Sequence, residues 1–550
     1  MKTDRPDPNL PRGVQAFLFD AAERRRKAED FVVRKLQEAG QREVILPVLD
    51  FADPYVGVTA EGDERIYRFL DRQGNTLSLR ADFTPMAARV VAPRLGTLSG
   101  PVSLFYRGDV VRDEETGVGR RREFAQVGAE RYGDGRPEAD GEMLALALSC
   151  LGDIPAERLR LTLGWAGLLE RLLAAAAPAL AKGGGSALAE AVAAARARHV
   201  TQLETLLRGS GAAEAAAVEV ARALLVGFDP GSGLFLSPVL EDAAAELARA
   251  IRVARSARPG LPVVVDLADV PQAPYYTGLT FSVDAAGGGG TIAGGGRYDG
   301  LLARFGAAAP ALGFCIGLES LGAATEAGEV SARPLRIAVG KGRLLPKALE
   351  ALRAGGASFG EPDGRRLLVP ATDGAFELLL LKDDDVPTYV AHGGADLGIV
   401  GSDRVAESGE DVTSPVELPF GACRLSLIGR AGEPFRPNGQ PVRVGTKYRR
   451  LAARYFDERK IAHEIVPLAG SVELAAALKL TDVVVDLIES GSTMAANGLA
   501  EIETILTSRA TLILGRASLV ARRAEIAEFV ERLRAHVGAG TGTAGKAKTP

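Results

Sequence analysis

Cysteine and histidine are scarce in this 550-residue chain, which has three of the first and four of the second. Cys150, Cys315 and Cys423 stand far apart in apolar or mixed runs, which excludes a disulfide framework and a closely spaced cysteine-based zinc motif. A reducing cytoplasm is the expected compartment. Long apolar runs are also missing: no stretch of about 18 uninterrupted apolar residues occurs. The opening MKTDRPDPNLPRG lacks the apolar core of a signal peptide, so neither membrane insertion nor export is expected. Nor is one sign of charge in excess. With 66 Lys plus Arg against 70 Asp plus Glu, the net charge of -4 argues against nucleic-acid binding by bulk charge, and no nucleic-acid partner is expected.

What the chain does have is 47% hydrophobic and 25% charged residues with a mean hydropathy of +0.07, enough to bury sizeable cores. At about 100–200 residues per domain, its length predicts two to four folded units. A helical apolar pattern (Phe17, Ala21, Phe31, Val32, Leu36) ends at Gly40 and leads into the strand-like EVILPVLDF. SLFYRGDVV, REFAQVGAERY, PVVVDLA and GLTFSVDAA are rich in β-branched and aromatic residues and predict a largely antiparallel sheet within an α+β domain, 1–322. Between about 150 and 255, Ala, Leu, Glu and Arg dominate, which predicts a helical insertion. LGAATEAGEVSARP lacks an apolar period and is read as a linker, 323–333. From 334 to 537, short apolar strands (LRIAVG, ADLGIVG, RLSLIG, VRVGTKY, DVVVDLIESG) alternate with helices, which favours two α/β lobes with mostly parallel sheets. The tail, 538–550, is expected to be disordered. Gly540, Gly545 and Lys546 have P-loop spacing there, but Ala547 replaces the magnesium-holding hydroxyl and no strand precedes them.

The segment TDVVVDLIESGSTMAANGL is better placed for chemistry, because Val483 to Val485 form a strand and a helix can begin after Thr493. Ser490, Gly491, Ser492 and Thr493 offer N–H groups and hydroxyls to a phosphate, with Asp486 and Glu489 beside them for ribose hydroxyls or a magnesium ion. The same residues suit an ordinary helix capped by Ser490 or Ser492, and local physics does not choose. In IAVGKGRL, Lys341 and Arg343 flank Gly342 after a predicted strand, a pair of cations suited to a polyphosphate or to a solvated surface. Asp396 and Asp403, in ADLGIVGSD, are read as structural.

Residues 335 to 518 resemble ATP phosphoribosyltransferase through IAVGKGRL, DDDVPTYVAHGGADLGIVGSD, ELPFGACRLSL, VGTKY, GSVELAAAL and DLIESGSTMAANGL, in that order. The resemblance implies two periplasmic-binding-protein-like lobes with the active site between them, and Mg²⁺ carried by phosphoribosyl pyrophosphate (PRPP) and pyrophosphate. It implies that Asp486, Glu489, Ser490, Gly491, Ser492 and Thr493 grip PRPP, that Arg343 and Arg365 face the departing pyrophosphate or ATP phosphates, and that Lys341 positions substrate. Chemistry of this kind rests on positioning and electrostatics, so no histidine-based catalytic set is needed, and His392 and His463 are not assigned as bases.

In REFAQVGAERY, alternation places Arg122, Gln126 and Glu130 on one face and Ala125, Val127 and Ala129 on the other. With Arg107 from the preceding strand, the polar face suits an amino acid, or simply an exposed sheet face. Residues 10 to 322 resemble the catalytic domain of histidyl-tRNA synthetase and its paralogue, the regulatory subunit of ATP phosphoribosyltransferase. The resemblance runs through LRADFTP, FYRGDVVRDEETGVGRRREFAQVGAERYG, APYYTGLTF, AGGGRYDGLLARFG and GFCIGLESL. It implies the class II synthetase fold and histidine contacts from Asp82, Thr84, Arg107, Gln126, Glu130, Tyr275 and Tyr276. The segments PQAPYY and GLES depart from the family by putting Pro271 and Ser320 where adenylate-binding arginines stand. A fusion is therefore expected: a histidine-sensing unit ahead of a short-form transferase, acting on ATP and PRPP as a homo-oligomer. The rival is a tRNA-binding or tRNA-charging protein, which the lost cations and the missing anticodon domain disfavour.

Overall fold

Helix Phe19–Glu38 buries Val32, Val33 and Leu36 and stops where Gly40 takes a left-handed φ of 77°. There the Gln41 N–H returns to Leu36 O and the Gly40 N–H to Gln37 O, satisfying carbonyls that the helix leaves open. The computed structural model to which this helix belongs describes the chain except residues 1–9, 59–64, 114–120, 183–184, 236–237, 270–273, 286–289, 327–332, 361–365, 438, 471, 490 and 542–550. Two compact units divide at 331/332.

The first unit contains β1 (Arg42–Glu43), β2 (Leu49–Phe51), β3 (Arg68–Leu70), β4 (Thr76–Leu79), β5 (Val102–Val111), β6 (Glu123–Tyr132), β7 (Leu159–Trp165), β8 (Val263–Val265), β9 (Leu279–Ala285), β10 (Thr291–Arg297) and β11 (Ala311–Gly317). Eight of these form one sheet in the order β1-β5-β6-β11-β10-β9-β7-β8, antiparallel except for the outer pairs β1/β5 and β7/β8. Strand β7 falls inside the stretch expected to be helical. Its alternating Leu159, Leu161 and Leu163 are buried, a seven-residue signal that a broad compositional window averages away. Helices then run from Leu168–Ala176 to Pro238–Ala257. The start of the expected linker is helix too, because Leu321 and Ala324 bury one face of Leu318–Glu326; 327–332 lie outside the described residues.

The second unit contains β12 (Leu335–Gly340), β13 (Leu368–Pro370), β14 (Phe376–Leu381), β15 (Leu397–Gly401), β16 (Val412–Glu417), β17 (Cys423–Arg430), β18 (Val442–Thr446), β19 (His463–Pro467), β20 (Val483–Ile488), β21 (Leu499–Ser508) and β22 (Ala510–Gly515). They form two sheets, β13-β14-β12-β15-β22-β16 and β19-β18-β20-β17-β21. These sheets are mixed, not mostly parallel. β12 pairs in parallel with β14 and β15, and β18 with β19 and β20, but the strands that carry the chain between sheets run antiparallel to their neighbours. The first crossing joins β16 to β17 and the second joins β21 to β22 through Arg509. Leu418 N–H donates to Ala510 O, and Ala510 N–H to Phe420 O, tying the two crossings together. The last helix, Arg523–Thr541, extends into the stretch expected to be disordered, and 542–550, with the P-loop-like Gly545 and Lys546, lie outside the described residues.

Candidate functional site

In each sheet of the second unit, the parallel strands bring their carboxyl ends together, the usual place for a ligand crevice in α/β folds. The turn 341–343 follows β12, Asp383 follows β14, and the helix Ser402–Ser408 follows β15. Gly340 and Gly342 lie close to Asp383: a Cβ on Gly340 would run into its carboxylate, and one on Gly342 would crowd the carboxylate's outer oxygen. Burial pushes the Asp383 carboxyl above its usual range, with Arg404 and Arg343 opposing and Asp384 and Asp403 adding to the rise.

On the second sheet, β18 and β20 are parallel with Thr446 opposite Val485, so the residues that follow them meet: Lys447 Nζ lies 3.3 Å from Asp486 Oδ1. Gly491 takes φ 78° and opens the short helix Ser492–Ala496. The loop after β20 reaches the first sheet's turn, with Arg343 donating to Glu489 at 2.7 Å. The structure thus brings Arg343 to Glu489, three residues after the Asp486 that Lys447 meets, with Lys341 beside Arg343 on the 341–343 turn. Arg365 and Ser490 lie outside the described residues, and Ser492 and Thr493 are placed by backbone alone. Lys447 was missed because a lysine after a strand carries no signal until its parallel neighbour is known.

Asp396 is fully enclosed, accepting from Arg333 at 2.6 and 3.0 Å, from the Arg336 N–H at 2.9 Å and from Ser518 at 2.7 Å. These partners hold its carboxyl below the usual range against the opposing cost of burial.

In the first unit, Glu130 is fully buried on β6. It accepts from Thr84 Oγ1 at 2.7 Å and from the Tyr298 hydroxyl. Gly313 faces it from β11, where a Cβ would collide with the carboxylate. Burial pushes Glu130 well above its usual range, and Asp82 adds to this while the Thr84 and Tyr106 hydroxyls oppose it. Asp82 caps helix Phe83–Val91 by accepting from the Thr84 N–H at 3.0 Å and receives the Tyr275 hydroxyl at 3.2 Å. The Tyr275 and Tyr276 ring centroids are 5.0 Å apart, and Tyr298 meets both edge-on. Gln126 Nε2 points at Cys315 Sγ, 3.7 Å away. Pro271 lies outside the described residues, and Ser320 sits in helix Leu318–Glu326.

Arg107 does not join this pocket. It stands opposite Val127 in the β5/β6 register and so shares the face of Ala125 and Ala129, while Gln126 and Glu130 project from the other. Its guanidinium bonds Glu43 at 3.0 Å and Glu29 at 3.3 Å and lines a cleft of about 630 Å³ with Arg25, Arg26 and Asp109. Arg112, one residue past β5, is buried, with Nε donating to Ala81 O at 3.0 Å and its guanidinium over Phe124. Tyr298 and Arg112 both lie in segments already singled out, each one residue past its strand, and only the packed fold shows that they are buried.

A model of the histidyl-tRNA synthetase family matches residues 13–321, and one of the ATP phosphoribosyltransferase family matches 382–535. The ATP phosphoribosyltransferase of Thermus thermophilus is 42% identical over 200 residues, spanning 36% of this chain and 95% of that protein. That of Deinococcus deserti is 44% identical over 200 residues, spanning 36% and 91%. Among solved structures, one from Bacillus halodurans C, described as an ATP phosphoribosyltransferase regulatory subunit/histidyl-tRNA synthetase, aligns with a TM-score of 0.51 at 24% identity. It covers 68% of this chain and 94% of its own, a likeness of fold. These matches define a transferase with a synthetase-like N-terminal unit. The chain belongs to the ATP phosphoribosyltransferase family, and its N-terminal unit to the histidyl-tRNA synthetase family. Among the described residues, no helix is long and apolar enough to cross a membrane.

Proposed function

We propose that the second unit joins N1 of ATP to the anomeric carbon of PRPP with release of pyrophosphate, and that the first unit senses histidine as a feedback signal. The observation that carries the first part is the meeting of two loops from two sheets, one bearing Arg343 and Lys341, the other Asp486 and Glu489, in a periplasmic-binding-protein-like arrangement. The second loop suits the ribose diol and 5-phosphate, and the first offers cations where charge builds on the departing pyrophosphate. Arg365 belongs to the same role. The Asp486 and Glu489 carboxylates are oxygen donors of the kind Mg²⁺ prefers, and each faces a cation that an incoming ion can replace, so they suit a magnesium ion carried by PRPP that neutralises the leaving group. The protein's own contribution is to hold the adenine edge and the ribose in line and to exclude competing geometries.

For the first unit, Glu130 and Thr84 suit the ammonium of an amino acid, Gln126 suits its polar ring, and Asp82, Tyr275 and Tyr276 wall the pocket. A pocket that keeps these groups while Pro271 and Ser320 replace cations of the adenylating apparatus supports sensing. Chains of this kind would act as homo-oligomers. Ultraviolet absorbance tests the proposal: purified protein with ATP, PRPP and magnesium should form phosphoribosyl-ATP, and histidine should slow it. Absence of product would overturn the transferase assignment, and indifference to histidine the sensing one.

A further inference from the structure

Tyr448 follows β18 and is fully buried. Its N–H donates to the Thr446 hydroxyl at 2.8 Å, and that hydroxyl donates to the Val485 carbonyl at 2.7 Å. The turn 446–448 is thereby pinned to β20 one residue before Asp486, and the middle residue of the turn is Lys447, the cation that meets Asp486.

At its far end Tyr448 leaves its own sheet. Its hydroxyl donates to Asp403 Oδ2 at 2.7 Å. Asp403 lies in the helix that starts from β15 of the first sheet; its Oδ1 accepts from Ser508 Oγ at 2.6 Å, and its N–H donates to the same hydroxyl at 3.1 Å. Ser508 ends β21, immediately before the chain crosses into β22. The ring is flanked by two cations, the Arg404 guanidinium 4.7 Å and the Lys447 ammonium 5.4 Å from its centroid. Arg404 in turn reaches Asp384 at 2.6 Å, beside the Asp383 that backs the 341–343 turn.

A phenylalanine would fill this space as well as tyrosine does, so filling the core does not require the hydroxyl. What the hydroxyl adds is a bond between the sheet that carries Lys447 and Asp486 and the sheet that carries Lys341 and Arg343. Two substrates held by different sheets react only when their reacting atoms are brought to near-attack distance, and a misplacement of about 1 Å is costly.

We propose that Tyr448 is a positioning residue for phosphoribosyl transfer: through its hydroxyl bond to Asp403 it registers the Lys447–Asp486 pair of the second sheet against the cation-bearing turn of the first. The proposal rests on the transferase assignment above. It places no contact between Tyr448 and either substrate, so its effect belongs to the joint arrangement of the two and not to the binding of one.

The test is full-length Tyr448→Phe, which keeps the ring and both cation contacts. The expected result is a kcat for phosphoribosyl-ATP formation lowered about tenfold or more, with the PRPP dissociation constant, measured by calorimetry without ATP, changed less than threefold. Because the hydroxyl acts through Asp403, adding Asp403→Asn to Tyr448→Phe should cost much less than Asp403→Asn costs alone. A kcat within twofold of the parent overturns the proposal. So does a PRPP affinity that falls as much as kcat, or a pair of losses that simply multiply. If Asp403→Asn does not fold, the split between kcat and affinity in Tyr448→Phe decides alone. A parent protein that forms no phosphoribosyl-ATP overturns the underlying reaction and this proposal with it, whereas an active parent with an unimpaired variant overturns this proposal only.

Discussion

Arg343 and Glu489 form a 2.7 Å ion pair between loops that belong to different sheets, and both side chains are largely exposed, at 79% and 53%. An exposed pair contributes only about 0–1 kcal/mol to stability, so its location rather than its strength is informative. Arg343→Ala should leave the unfolding midpoint nearly unchanged. It should lower kcat more than it raises the ATP Michaelis constant, by about 10- to 100-fold, the scale of one charge-assisted hydrogen bond made in the transition state. If steady-state kinetics showed a change in the ATP Michaelis constant alone, Arg343 would be reassigned to ground-state binding.

Asp486 and Lys447 face each other at the ends of parallel strands. Asp486→Asn should weaken PRPP use by about 1.5 to 3 kcal/mol, and Lys447→Ala should act in the same direction by less, because a lysine is a point charge on a flexible stem. PRPP titrations on the folded variants check this; unaltered PRPP kinetics in both would remove the assignment.

Glu130 and Arg107 were expected in one pocket, and the structure puts them on opposite faces of the sheet. Glu130→Gln should raise the histidine dissociation constant at least tenfold by calorimetry, since an amide cannot take on the negative charge that would pair with an ammonium. Arg107→Ala should leave that constant unchanged. Equal histidine affinity in Glu130→Gln and the parent would refute the sensor pocket, and a large loss in Arg107→Ala would refute the observed register.

Glu501 on β21 supplies a pH prediction. Arg424 at 2.7 Å, with the Ser426 and Thr504 hydroxyls, lowers its carboxyl from 4.5 to about 2, against a smaller opposing effect of burial. A depressed folded value means that the stabilisation is complete above the unfolded value and fades as pH falls toward the folded one. Glu501→Gln should therefore cost about 1–2 kcal/mol at pH 7, after allowance for partial solvent screening, and progressively less between pH 4.5 and 2. Denaturant titrations of parent and variant at pH 7 and 3 measure the difference; a constant gap would contradict it.

Alternation along one strand was enough to separate Gln126 and Glu130 from Ala125, Val127 and Ala129, because a period of two is local. It could not place Arg107, since its face depends on how β5 registers against β6, and register is fixed by pairing and packing across the sheet. The strand–loop–helix pattern around DLIESGSTMAANGL was legible for the same local reason, and its partner across the crevice was not. The preference for mostly parallel sheets failed at β17, β21 and β22, whose direction follows from the two crossings between sheets and leaves no mark on strand composition.

Those crossings bear on the order in which the second unit is completed during synthesis. β22 lies inside the first sheet, between β15 and β16, and every one of its residues is buried. It leaves the ribosome only after all of 423–508, the segment that builds the second sheet. The nascent first sheet therefore waits with its β15 edge unpaired, and β16 without a strand partner, until the second sheet has every strand it needs. The later-emerging half is the one able to finish first, and the gap it leaves behind is where a chaperone or an intruding strand would find this chain most vulnerable.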